Sequence, residues 1–539
     1  MKNSLIIIFQ ILNIFFVTIY SQDSQSEYNL WGKKQILEQK KEDDKTLDLY
    51  LKKFEQDKSN KKVFKKIKEL LIEKKKFKLL IDLYEPYINN ISKINNKFEA
   101  EIELLEIKIW GNQNKWIDDL YVLEDKYQNE QKNQNKNEYI LHKLLKNKKI
   151  DEAYDFVRYI RKKYHIPHFF SKKMIGIFKE TKDYKYSINE SIIYLTQDPN
   201  SNNQSFIAKK IITEQIFELL EKILLESLSN NIYLPITDKQ FSSNAFLNFE
   251  SPIIKNHDNI GYIIQTYNTL IKSNLNIEES KIKLAEIQYK LFNDLDNAYK
   301  IYDELEQESS KISIDIKAIL GKADILISKG YLDSALRLLE NQNTLIKRYN
   351  DPSLTNNMNY KKTQILLFKG DYNQMNISLD SLIKSFELKN DNFNDLLEVK
   401  MLSLFFTEDI NEFKKYSSIQ HKIKMNKRFE ATLELIQLMS ADNILISELS
   451  QFQYALIELQ KGNIENAQQM ILEMNKNTVF YEIALVLNAE IEDHLNKDYK
   501  KAIQLYENFI IQYPNSIYRE VILKRLNKIN NSLDEDLDL

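Results

Sequence analysis

A short phrase that returns at a nearly constant interval restricts this chain more than any other feature. In Lys329-Gly330-Tyr331-Leu332-Asp333-Ser334-Ala335-Leu336-Arg337-Leu338-Leu339, one helical pattern ends at a glycine and a second opens with a small residue near its start. Glycine supplies the left-handed conformation that ends a helix, and alanine lets two helix backbones approach closely. The phrase recurs as Lys369-Gly370-Asp371-Tyr372-Asn373-Gln374-Met375 and as Lys461-Gly462-Asn463-Ile464-Glu465-Asn466-Ala467. A further copy runs from Lys497-Asp498 through Ala502 to Tyr506. With the small residue as a ruler, Asp119 to Ala153 and Ala153 to Ser187 are each 34 residues. Ala298 to Ala335 is 37, Ala335 to Met375 is 40 and Ala467 to Ala502 is 35. Such a period describes stacked helix pairs, none of which buries its apolar face alone.

The rest of the chain agrees. Leu79, Leu80, Leu83, Tyr84 and Tyr87 recur at three and four residues, as do Ile316, Ile319, Leu320, Ala323, Leu326 and Ile327. This is the stripe of a packed helix and not the alternation of a strand. Eight glycines and seven prolines in 539 residues are too few for the turns of an all-β fold. The absence of cysteine excludes disulfides, cysteine-zinc sites, thiol nucleophiles and a lipoprotein anchor. Charge is balanced, 76 Lys+Arg against 78 Asp+Glu, so no overall field attracts nucleic acid or an anionic membrane.

Residues 1–21 read as a signal peptide: Lys2, an apolar run Leu5–Tyr20 and a small residue at Ser21. The run is shorter than the roughly 20 apolar residues a bilayer span needs. A periplasmic or secreted location follows, with no membrane span after cleavage. Residues 22–45 read as a flexible segment and 46–228 as an N-terminal lobe of degenerate helical repeats. The interval 229–259 is rich in Asn, Ser and Asp, carries Pro235, Pro252, Phe241, Phe246 and Phe249, and reads as an inserted loop or linker between two lobes. A second lobe over 260–530 and an acidic tail over 531–539 complete the chain.

Ala502, Tyr506, Phe509 and Pro514 stand zero, four, seven and twelve residues along the ruler. In this the chain resembles the tetratricopeptide repeat family, with Phe where Ala is usual. Ser187 with Pro199, and Ala298 with Tyr302, match in part. The first-helix Trp-Leu-Gly residues of the family are largely missing, and Trp110 and Trp116 fall elsewhere. The resemblance implies an all-α, right-handed superhelical solenoid of antiparallel helix pairs whose inner groove holds peptides or protein surfaces. In that family groove residues come from set positions of the first helix, which here are Lys283, Lys317, Asp324, Tyr360, Gln364 and Phe452. The C-terminal phrase Tyr506 to Ser516, followed by Tyr518-Arg519-Glu520, resembles helical-repeat proteins of the bacterial cell envelope, where a last helix caps the array.

No reactive constellation stands out. There is no glycine-rich phosphate loop and no Gly-x-Ser-x-Gly elbow. His165 and His168 flank Pro167, which bends the backbone between them, and a zinc site would need further ligands. Carboxylate pairs such as Glu101 with Glu103 and Asp118 with Asp119 read as solvated helix faces. Neither cofactor nor metal is expected. The expected function is a non-catalytic scaffold that binds a protein or peptide of the cell envelope. A structural spacer, or an enzyme with a cryptic site near 229–259, are the alternatives.

Overall fold

The computed structural model describes residues 44–537, apart from 114, 128–132, 198–205, 230–252, 310, 343–351, 386–392 and 477. The expected signal peptide, and residues 22–43 of the segment after it, lie outside the described residues. The first eight helices are α1 (44–56), α2 (Lys61–Glu73), α3 (Phe77–Asn89), α4 (Ile94–Trp110), α5 (Trp116–Lys126), α6 (Asn133–Lys146), α7 (Ile150–Tyr164) and α8 (Ser171–Glu180). Then come α9 (Tyr184–Gln197), α10 (Phe206–Ser227), α11 (His257–Lys272), α12 (Ile277–Lys290), α13 (Leu295–Glu308), α14 (Ile312–Ser328), α15 (Leu332–Asn341), α16 (Pro352–Lys369) and α17 (Tyr372–Ser385). The last are α18 (Phe393–Phe405), α19 (Ile410–Lys424), α20 (Arg428–Leu438), α21 (Ile444–Gln460), α22 (Ile464–Leu472), α23 (Val479–Glu490), a π turn Ile491–Asn496, α24 (Tyr499–Gln512) and α25 (Arg519–Leu537). Among the described residues the chain is all-α, as expected, except for one two-residue ladder.

The turns explain the period. Gly330, Gly370 and Gly462 have φ of +88°, +70° and +82°, the left-handed conformation that reverses the chain between paired helices. The same conformation marks pairs that lack the glycine: Lys75, Asn112, Lys148, Lys182, Asn293, Asn426 and Lys497 all have positive φ. The repeat is thus regular where its sequence phrase has faded. At Ala298, Ala335, Ala431, Ala467 and Ala502 the small residue is fully buried between paired helices. One close approach is tighter still: a Cβ at Gly321 would meet the Tyr302 ring at 2.4 Å.

Polar ties link each repeat to the next at the same spacing. Lys329 pairs with Asp296 and Lys369 with Asp333, so in two of the Lys-Gly turns the lysine reaches back to the first turn of the preceding repeat's second helix. Further ties join Lys68 to Glu103, Lys143 to Glu106, and Gln420 to Gln453. Two of the carboxylates read as solvated faces are instead paired within one helix pair, Glu101 with Lys126 and Asp119 with Lys108 across α4 and α5.

Packing divides the chain into two units, Met1–Glu180 and Thr181–Leu539. In the first, Phe64 stacks on Tyr87 at 3.9 Å within a core that includes Leu71, Leu80 and Tyr84. A second core there gathers Trp116, Leu120, Leu141, Phe156 and Met174.

This division does not fall at 229–259, where a lobe boundary was expected. The flanking helices α10 and α11 pack on each other and bury Leu220, Ile223, Ile260 and Ile263 in one core. Strands β1 (Leu228–Ser229) and β2 (Ile253–Ile254) pair antiparallel, Leu228 opposite Ile254. Residues 230–252, with the three phenylalanines, lie outside the described residues. The composition of this interval marks an interruption of the helix, and the core continues across it.

The interval from Met375 to the next buried small residue, Ala431, is 56 residues because α18 is inserted there. It packs on α17, where the Tyr372 hydroxyl donates to the Ser403 carbonyl at 3.0 Å, while α16 and α19 pack directly on each other. At the C-terminus α25 runs to Leu537, so residues 531–537 of the expected tail are helical; Leu533 continues the Ile522, Leu526 and Ile529 spacing. Its outward Lys524, Asn527 and Lys528 are exposed, as a terminal cap requires.

Candidate functional site on the first-helix layer

In the second unit the first helices of successive pairs stack on one another, α12 on α14, α14 on α16 and α16 on α19. The structure divides the six residues expected at inner positions of this layer into two groups.

Lys317 stays exposed, and Lys283 and Asp324 stay partly exposed. Lys283 is paired with Glu286 at 3.3 Å, and Lys317 is exposed on α14. Asp324 accepts from Lys361 Nζ at 2.6 Å. Burial alone would raise its carboxyl pKa, but Lys361, Lys424 and Lys290 hold it below the usual carboxylate range. Lys424 also lies 5.6 Å from the Tyr289 ring. Three cations from α12, α16 and α19 thus gather around one anion. Lys290, Lys361 and Lys424 were not expected. The spacing of Lys290 from Ala298 could have revealed it, whereas Lys424 precedes a pair whose ruler, Ala431, is hidden by the 56-residue interval.

Tyr360, Gln364 and Phe452 are buried, so they offer little surface to a ligand. Tyr360 is buried and its hydroxyl donates to Asp395 of α18 at 3.2 Å. Gln364 is buried and accepts from Lys361 at 3.0 Å. Phe452 is 2% exposed and lies 6.3 Å from Phe480, which in turn meets Phe405 of α18 at 5.8 Å. The cause is that neighbours fill the inner face. Inserted α18 covers part of it, and the first helices converge at their C-terminal ends. There His421 Nε2 lies 3.1 Å from the Ile327 carbonyl and the ring stacks on Phe368. Between α19 and α21, Gln453 donates to Tyr416 and accepts from Gln420. Phe413, Tyr416, Gln420 and Leu449 are accordingly buried.

The other residues singled out in the sequence do not converge. His165 sits in a left-handed turn ending α7, and His168 Nδ1 is buried near the start of α8. Among the described residues no group of three or more His, Asp or Glu side chains is placed to hold a metal ion, and no helix is long and apolar enough to cross a membrane. A shallow cavity of about 540 Å³ lies at the turn Tyr513 to Tyr518 beside Glu482. Arg525 of α25 donates to both oxygens of buried Asp493 at 2.7 and 2.6 Å, fastening the last helix to the π turn.

The fold and this layer define an all-helical repeat protein. Residues 479–516, which contain the clearest copy of the phrase, match the family model for the tetratricopeptide repeat. No curated protein sequence matches the chain. Among solved structures it is similar to the TPR domain of P58(IPK), at 13% identity over 75% of this chain and 99% of that one, with a TM-score of 0.20. It is also similar to Naa15/Naa10 bound to HypK-THB, at 12% identity over 93% and 85% with a TM-score of 0.23, and to yeast Tom70, at 12% identity over 82% and 97% with a TM-score of 0.21. These likenesses are loose, and the fold stands on the helix pairs themselves.

Proposed function

We propose that this chain is a non-catalytic protein-binding scaffold of the cell envelope. We further propose that it takes an acidic segment of its partner on the open stretch of the first-helix layer. One observation carries this reading: among the six expected inner residues Lys283, Lys317 and Asp324 keep partial or full exposure while the other three are buried, and cations outnumber anions around Asp324. An exposed basic surface on a rigid layer suits charge-assisted contacts to carboxylates. The tetratricopeptide match supports a protein-interaction role, and the apolar run Leu5–Tyr20 supports export.

The test is a crosslinking pull-down from the native envelope with the chain lacking residues 1–21. A K283E/K317E double variant should retain the fold and lose the captured protein. Retention of that protein would place the contact elsewhere, and capture of nothing would favour a spacer. Phe452→Ala is unsuitable as a binding variant, because it should cost about 3–5 kcal/mol of stability through its cavity.

A further inference from the structure

The repeats act as controls for one another. The residues two before, two after and five after the buried small residue can be compared between second helices. On α15 these are Asp333, Arg337 and Glu340, and on α24 they are Lys500, Gln504 and Glu507, all exposed. On α20 the same three positions, counted from Ala431, are Phe429, Leu433 and Ile436, which are 72%, 47% and 46% exposed. The neighbouring second helices α17 and α22 each carry one apolar residue at these positions, Ile377 and Leu472. Packing within the array does not require this stripe, since sister helices in the same place are polar. A continuous exposed apolar stripe on one outer helix marks a docking surface.

The charges at the ends of α20 indicate the occupant. Lys427 precedes its N-terminus and Asp442 lies beyond its C-terminus, both exposed and of opposite sign. We propose that α20 docks antiparallel against α20 of a second copy of this chain. A two-fold axis near Leu433 then sets Phe429 of each helix against the Ile436 region of the other, as a self-complementary interface requires. It also brings each Lys427 toward the copy's Asp442 and the negative end of the copy's dipole. The surface lies on the second-helix layer, apart from the Lys283–Asp324 stretch, so this dimer and the partner contact proposed above succeed or fail separately.

Sedimentation equilibrium of the purified chain across the micromolar range tests the proposal. The chain should form a dimer. L433R should weaken it at least tenfold while leaving the helical circular dichroism unchanged, and R337E, at the matching position of α15, should not affect it. K427E and D442K should each weaken association several-fold, and the two together should restore it. A monomer at every concentration, or a dimer that survives L433R, overturns the proposal. Failure of the paired reversal to restore association removes the antiparallel arrangement. A different protein that binds the monomer and is lost on L433R assigns the stripe to that protein instead.

Discussion

The left-handed residue of each turn is where sequence and backbone meet most directly. Gly330, Gly370 and Gly462 occupy it without strain, whereas Lys497 holds φ at +56° with a Cβ. A non-glycine residue there costs roughly 1–2 kcal/mol. Lys497→Gly should therefore stabilise the protein, by about 0.5–1 kcal/mol after the added freedom of the unfolded chain is offset. Nothing lies within 4 Å of a Cβ at Gly462, so Gly462→Ala should destabilise by about 1 kcal/mol through backbone strain alone. Urea unfolding of the two variants would measure both, and equal midpoints would refute the account. The glycine turns were legible because their residue type states their conformation. The turns at Lys148 and Lys182 were not, because lysine carries no such signal.

Elements are held by buried carboxylates that gather several donors from their own turn and from neighbouring helices. Glu458 accepts from Lys461, Asn463 and Asn466, and Glu492 accepts from Lys501, Asn496 and Gln468. For Glu492, burial would raise the carboxyl pKa, but these donors hold it below its ordinary value of 4.5. The stabilisation it contributes is then complete above that value and is lost as pH falls through the lower folded value. Glu492→Gln should cost about 1–3 kcal/mol near neutrality. It should also flatten the decline of Tm below about pH 4.5. Melting curves from about pH 3 to pH 7 would show it, and an acid limb as steep as that of the unchanged chain would sink the assignment. The helices themselves were readable from apolar spacing, and α18 escaped only because it interrupts the ruler between Met375 and Ala431. The role of Glu492 was not readable, since acidic residues abound on every helix face.

At the scale of the molecule, the interval 229–259 interrupts the sequence pattern without interrupting the core. Replacing residues 230–252 with a short Gly-Ser turn should leave Tm within a few degrees, because β1 and β2 already join the ends and α10 still packs on α11. A large drop would show that the segment contributes to the core. Loss of a bound partner without a drop in Tm would show that it carries a contact. The first-helix layer teaches the same lesson in reverse. Lys317 is exposed and Lys283 and Asp324 are partly exposed, while Tyr360, Gln364 and Phe452, chosen by the same count, are enclosed.

By itself the sequence determined that this is a stack of helix pairs, where most pairs turn, and which small residue each pair closes upon. These properties are local: three- and four-residue spacing sets the buried stripe, and a glycine or alanine sets what a backbone can do at one point. Tertiary structure alone decided which inner faces stay open, that α18 fills one of them, and that the packing divides at Glu180 instead of at the proline-bearing interval. Those outcomes depend on how residues more than a repeat apart come together, as Lys424 does with Tyr289 and Asp395 with Tyr360. A period in the sequence records that helices repeat, and the small rotation accumulated at each packed interface decides what they enclose.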